Sequence, residues 1–171
     1  MNFLKDAIKR FKYYKDLGDK TFAQLSDKDL LFQPSPDSNS IAMIVQHLYG
    51  NMLSRWTNFL SEDGEKEWRD RDSEFVVNTL SKAVVLSFWN IGWDCLLKTL
   101  ENLTEADLDK TITIRSEPLH VQDAILRQLA HYPYHVGQIV TIGKMIKDTE
   151  FTTLSIAKNK SKDFNDSMGH K

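Results

Sequence analysis

The sequence predicts an all-α protein built on four long helices. Apolar residues recur at helical spacing over four long stretches, and polar segments rich in Pro, Ser and Asp separate them. The chain contains no internal repeat and no low-complexity segment. Its 171 residues, 41% hydrophobic and 27% charged, are enough to bury the core of one domain spanning residues 1–171.

The first two helices are predicted over residues 2–25 and 40–60. Gly18 weakens the propensity of the first helix without ending it. The apolar positions that define this helix are Phe3, Leu4, Ala7, Ile8, Phe11, Tyr14 and Leu17. Two prolines in residues 33–40 stop any helix there, and Ser38, Asn39 or Ser40 can cap the next one. Residues 61–72 form a long polar connection.

The third helix is predicted to begin after a cap at Ser73 and to run to about residue 100. Residues 110–118 favour extended chain, because Thr and Ile alternate there and Pro118 disfavours helix before it. A brief hairpin or edge strand is one outcome. The fourth helix covers residues 119–147, and Pro133 inside it removes a backbone donor and is expected to kink the helix. Four apolar residues of the polar tail are expected to hold it against the helices: Phe151, Leu154, Ile156 and Phe164.

Two histidines of the fourth helix indicate a metal site. His131 and His135 are four residues apart, so they lie one turn apart on the same face. Imidazole nitrogens bind Zn²⁺-type ions, and a tight site needs at least one more protein ligand. His47, on the second helix, is the best third candidate. Gly50 follows it by one turn and either leaves space for a ligand or allows close helix packing.

The surroundings of the pair favour a pocket over isolated surface histidines. One face of the fourth helix is rich in hydrogen-bonding groups: Arg127, Gln128, His131, Tyr134, His135 and Gln138. Two histidines at this spacing can also be surface residues or satisfied core residues. Three imidazoles would leave one to three coordination positions open, as in a catalytic rather than a closed structural site.

Several other functions find no support in the sequence. The net charge of −2 provides no basic stripe for nucleic acid, and no apolar stretch is long enough for a membrane span. The single Cys95 and the absence of a signal-peptide pattern predict the cytoplasm. His120 is expected at a cap or the surface, and His170 in a frayed terminus. The four tryptophans are assigned to the core rather than to a substrate pocket.

Two sequence blocks resemble the signature of the DinB/YfiT-like superfamily. They are residues 40–48 with 54–56, SIAMIVQHL and SRW, and residues 128–139, QLAHYPYHVGQI. Residues 51–60, 63–72 and 154–165 further resemble a branch known mainly as a domain of unknown function. The resemblance implies a four-helix bundle of up-down-down-up order, commonly a dimer. One divalent ion would be held by His47, His131 and His135. Pro133 departs from the usual pattern of the family.

The resemblance also implies an activity. Characterised members of the superfamily are S-transferases that join a small thiol, such as bacillithiol, to an electrophile, and others are thiol-using isomerases. By this analogy the ion would activate the thiol, and Arg127, Tyr134 or Gln138 would orient it. Zn or Ni is the first expectation for the metal, with Fe and Mn as alternatives. The alternative functions are a non-catalytic metal-binding or scaffold bundle and a metal-dependent hydrolase.

Overall fold

The computed structural model describes residues 2–77 and 80–169, which form six α-helices and one two-stranded sheet. The helices are α1 (Phe3–Phe22), α2 (Asp27–Leu30), α3 (Ile41–Trp56), α4 (Lys82–Glu101), α5 (Val121–Lys147) and α6 (Ser161–Ser167), and the strands are β1 (Thr111–Ile114) and β2 (Glu117–His120). The fold is therefore mostly helical, as predicted. The predicted extended segment forms an antiparallel hairpin.

Polar side chains cap the starts of three long helices. Asn2, Ser40 and Ser81 each accept a hydrogen bond from the backbone N–H three residues later, at the starts of α1, α3 and α4. Each cap satisfies a donor that the first helical turn leaves without a partner. Of these three, Ser40 belongs to the set of caps predicted from the sequence.

The four long helices pack on one another around an aromatic core. Helix α1 contacts α4 and α5, and α3 contacts the same two helices from the other side. Trp56, Trp89, Trp93 and Tyr132 are almost completely buried between them. The assignment of the tryptophans to the core is confirmed for these three, whereas Trp68 in the polar connection is 59% exposed.

The third predicted helix begins later than expected. Residues Ser73–Phe75 form a single 3-10 turn, and the α-helix begins at Lys82. Placing the cap at Ser73 was therefore wrong. The side chain of Glu74 points inward to a buried ion pair with Arg69, which holds this segment against α3 instead of extending α4.

Helix α5 runs through Pro133 as one element from Val121 to Lys147. Behind it, the tail packs only in part: Phe151 and Leu154 are half-buried, whereas Ile156 and Phe164 are exposed. The expectation that all four tail residues hold it against the helices is therefore wrong for the last two. Among the described residues, no helix combines the length and apolar character needed to cross a lipid bilayer.

Candidate metal centre

The structure brings His47, His131 and His135 together. On α5 the Nε2 atoms of His131 and His135 are 3.0 Å apart, and Nε2 of His47 on α3 is 3.5 Å from Nε2 of His131. One ring nitrogen from each residue lies within 4.8 Å of the other two. The convergence results from packing of α3 against α5, which the spacing of the pair alone does not specify.

The two Nε2–Nε2 distances that involve His131 suit a shared divalent ion. Two nitrogens bound to one Zn²⁺ at 2.0–2.1 Å in tetrahedral geometry lie about 3.3 Å apart. The two measured Nε2–Nε2 distances, 3.0 and 3.5 Å, fall on either side of that value. The donor set, three imidazoles and no thiolate, suits Zn, Ni or Fe and does not distinguish them.

Each of the three rings has an oxygen partner on its other nitrogen. Nδ1 of His47 is 2.9 Å from Glu74 Oε2, a carboxylate oxygen that can only accept. Nδ1 of His131 lies 3.1 Å from Oε1 of Gln128, and Nδ1 of His135 lies 2.9 Å from Oε1 of Gln138. All three Nδ1 atoms therefore donate, so the neutral form of each ring directs the lone pair of Nε2 toward the other two rings.

The electrostatic surroundings keep two of the rings neutral. Burial, with contributions from the neighbouring His135 and His47, lowers the pKa of His131 to about 3. Burial likewise lowers the pKa of His135 to about 4, against the hydrogen bond from its ring to Gln138. Both pKa values are well below neutrality, so near pH 7 protons do not compete for these Nε2 atoms.

Glu74 is the residue at this centre that sequence reasoning missed. Its carboxylate accepts from Arg69 Nε at 2.8 Å and from Arg69 Nη2 at 3.0 Å, in addition to its bond from His47. Burial raises the pKa of Glu74, but the hydrogen bonds from His47 and Arg69 outweigh it and the net pKa is lowered. A Cβ at Gly50 would overlap Glu74 Oε1. The space that Gly50 leaves is therefore filled by this carboxylate.

Of the three residues predicted to orient a substrate, two contact the histidines. The amide oxygen of Gln138 is hydrogen-bonded to His135, and the ring of Tyr134 meets His135 edge-on with centroids 5.0 Å apart. Tyr134 itself is 63% exposed. Arg127 is exposed, and its charge contributes to the lowered pKa of His131.

The remaining candidate residues lie outside the centre. His120 is exposed at the start of α5, and its Nδ1 bonds to the carbonyl of Asp109 at 3.0 Å, as expected for a residue at a helix end. His170 falls outside the described residues. Cys95 is half-buried on α4, and burial raises the pKa of its thiol, which disfavours the thiolate.

Comparison with known families identifies the family of this chain. Residues 1–160 match the family described as "Protein of unknown function (DUF1572)", and the chain belongs to that family. A search of curated proteins finds no match. The chain is similar to a solved structure, described as the crystal structure of a conserved protein from Enterococcus faecalis. The identity is 14%, the TM-score is 0.65, and the match covers 85% of this chain and 98% of that one. At this identity the likeness concerns the fold.

Proposed function

We propose that this protein is a DinB/YfiT-like four-helix bundle, of up-down-down-up order, that binds one divalent ion through His47, His131 and His135. The single observation that carries the metal proposal is the orientation of the three imidazoles. Their Nδ1 protons are engaged by oxygens, so three Nε2 lone pairs meet at one point. Unshared lone pairs at such distances repel each other, and a cation converts the repulsion into three bonds.

Rings held in this way resemble the ligands of functional metal sites. A metal-bound histidine usually donates its second N–H to a carboxylate or amide oxygen, which fixes the ring and its tautomer. Here Glu74 does this for His47, and Gln128 and Gln138 do it for the pair on α5. An arrangement of rings that only filled a polar core would not need all three Nε2 atoms at the same point.

We further propose that the protein is a metal-dependent transferase that joins a small thiol to an electrophile. When bound, the ion would supply acidity, since a coordinated thiol or water loses its proton far more readily than a free one. The chain itself supplies three imidazole ligands and the exposed side chain of Tyr134, whose ring lies beside His135. Gln138 uses its oxygen on His135, and its amide N–H groups, which make no hydrogen bond to the described residues, would donate to a bound molecule. Arg127 would contribute positive charge from the surface. The thiol itself is supported by the family resemblance.

The metal proposal is tested by the metal content of purified protein. We expect about one Zn or Ni ion per chain, with Fe and Mn as alternatives, and loss of most of it when His47, His131 or His135 is replaced by Ala. His120→Ala is the matched control, because that ring lies outside the centre, and it should retain the ion. Equal metal content in wild type and a variant with both His131→Ala and His135→Ala would refute the site.

The transferase proposal is tested by the rate at which fully metallated protein joins bacillithiol or another small thiol to an electrophile such as a chlorinated arene. We expect a rate above that of His47→Ala. If wild type is no faster than His47→Ala with any thiol of a panel, the transferase proposal is refuted. A hydrolase and a non-catalytic metal-binding bundle would then remain as the possible functions. We also propose that the protein is a homodimer, as the resemblance implies; sedimentation equilibrium tests this, and a monomeric mass would overturn it.

A further inference from the structure

An open cleft of about 510 Å³ adjoins the metal centre through Gln138, which lines the cleft and is hydrogen-bonded to His135. Its walls are the loop before α3 and one face of α5. Ile44 on α3 is three residues before His47, and Gln138 and Ile142 on α5 are three and seven residues after His135. Residues three, four and seven apart share a helix face, so the cleft continues the surface that carries the ligands by one to two turns. Its volume is within the range of small-molecule sites.

The lining combines an apolar floor with polar walls. Ile44 and Ile142 form the apolar part, while Asn39, Thr141 and Gln138 provide hydrogen-bonding groups. Gln138 belongs to both the cleft and the metal centre, because its oxygen holds His135. A molecule seated here could therefore contact the amide N–H groups of Gln138 and reach the centre.

The charge of the cleft is distinctive. Among the described residues that line it, Asp37 is the one with a formal charge, and no Lys or Arg lines it. Asp37 is exposed and has no salt-bridge partner within the described ranges. The nearby N-terminus of α3 would attract an anion, but the buried Ser40 already accepts from its first turn. A carboxylate-bearing molecule would meet repulsion from Asp37, whereas an ammonium group would be attracted.

We propose that this cleft is the substrate site of the metal centre and that it takes a neutral or cationic small molecule, such as an aminothiol, in preference to an anionic one. The inference rests on the proposed function, since the metal would hold the sulfur while the cleft holds the remainder of the molecule. It narrows the small thiol of the proposed function to a neutral or cationic one.

The test uses protein loaded with Co²⁺ and three thiols of similar size: cysteamine, mercaptoethanol and mercaptopropionate. Binding of sulfur to Co²⁺ is followed by its thiolate-to-metal absorption band, so no turnover is needed. Because the thiols differ in their own pKa, the readout is the change in the affinity ratio between wild type and a variant. Asp37→Asn should reduce the preference for cysteamine over mercaptopropionate by about 1.5-fold to 5-fold, the size of an exposed charge interaction. Asp123→Asn, the same change in the first turn of α5 outside the cleft, should leave it unchanged.

A second variant tests whether the thiols occupy the cleft, independently of the charge of Asp37. Gly137 lines the cleft, and a Cβ added there would meet no atom within 4 Å, so Gly137→Leu should fold and place its side chain in the cleft. We expect it to retain Co²⁺ and to weaken all three thiols at least tenfold. Thiol bands that Gly137→Leu leaves unchanged, or an affinity ratio that Asp37→Asn does not alter, would overturn the cleft proposal while thiol binding stands. The absence of any thiol band in wild type would instead refute the proposed thiol function, and the inference that rests on it.

Discussion

Replacing Glu74 by Gln separates the role of its charge from that of its shape. Oε2 of Glu74 accepts from His47 Nδ1 at 2.9 Å and from Arg69 Nη2 at 3.0 Å, and Oε1 accepts from Arg69 Nε at 2.8 Å. A glutamine of the same shape has one oxygen and one NH₂ group, so in either orientation its N–H groups face a donor. If they face His47, that ring must move its proton to Nε2, which then cannot bind an ion.

Two magnitudes follow from this geometry. Loss of a hydrogen-bonded partner behind a metal ligand weakens metal binding by about 10-fold to 100-fold, or about 1.4–2.7 kcal/mol. The metal-free protein is also destabilised, because Arg69, with a side chain only 2% exposed, loses its close charge partner. Breaking a buried pair costs about 3–5 kcal/mol, and we expect the lower end because Glu65 Oε1 remains 3.6 Å from Arg69 Nη1.

The affinity is measured by competition with a chelator for Zn²⁺, and the stability by urea unfolding of metal-free protein. Glu67→Gln is the matched control, because Glu67 is exposed in the same segment, and neither quantity should change. Metal affinity of Glu74→Gln within twofold of wild type would show that this carboxylate does not set the tautomer of His47. A normal affinity combined with lower stability would assign Glu74 a purely structural role.

Three further predictions concern the protein without its ion. Because burial lowers the pKa of His131 to about 3 and of His135 to about 4, the unfolded chain binds their protons first as pH falls below about 6.5. The free energy of unfolding of metal-free protein should therefore fall as the pH is lowered from about 6.5 to about 4, by up to about 1.4 kcal/mol per pH unit for each ring. Urea unfolding at several pH values should give a shallower pH dependence for the variant with both His131→Ala and His135→Ala. Chelation should lower the Tm by only a few degrees in calorimetry, since the apolar core between the long helices is independent of metal; complete unfolding would mean that the ion is structural. Tyr132→Phe should cost about 1–3 kcal/mol in urea unfolding, because it leaves Trp56 Nε1 and Asn51 Oδ1 buried without their partner, and an unchanged midpoint would contradict this.

Features that depend on neighbouring residues could be predicted from the sequence. Helical spacing of apolar residues located the four long helices, although the predicted cap of the third, Ser73, lies eight residues before the observed cap, Ser81. The four-residue separation of His131 and His135 placed both rings on one face, because the pitch of an α-helix requires it. The alternating Thr and Ile of residues 111–114 likewise indicated the strand that the hairpin contains.

Features that depend on residues far apart in sequence emerged from packing. Glu74 was expected in the first turn of the third helix, next to the polar connection, and no local pattern signals that its carboxylate is buried. A buried carboxylate is stable there only when the folded chain brings Arg69 and His47 to it. The favourable interaction energy with these two residues exists only in the assembled site. Gly50 offered a hint of open space beside His47, but its occupant came from a segment 24 residues away. Helix geometry thus made a pair of ligands predictable, whereas the third ligand's partner and the charge of the cleft follow from long-range contacts that no local pattern encodes.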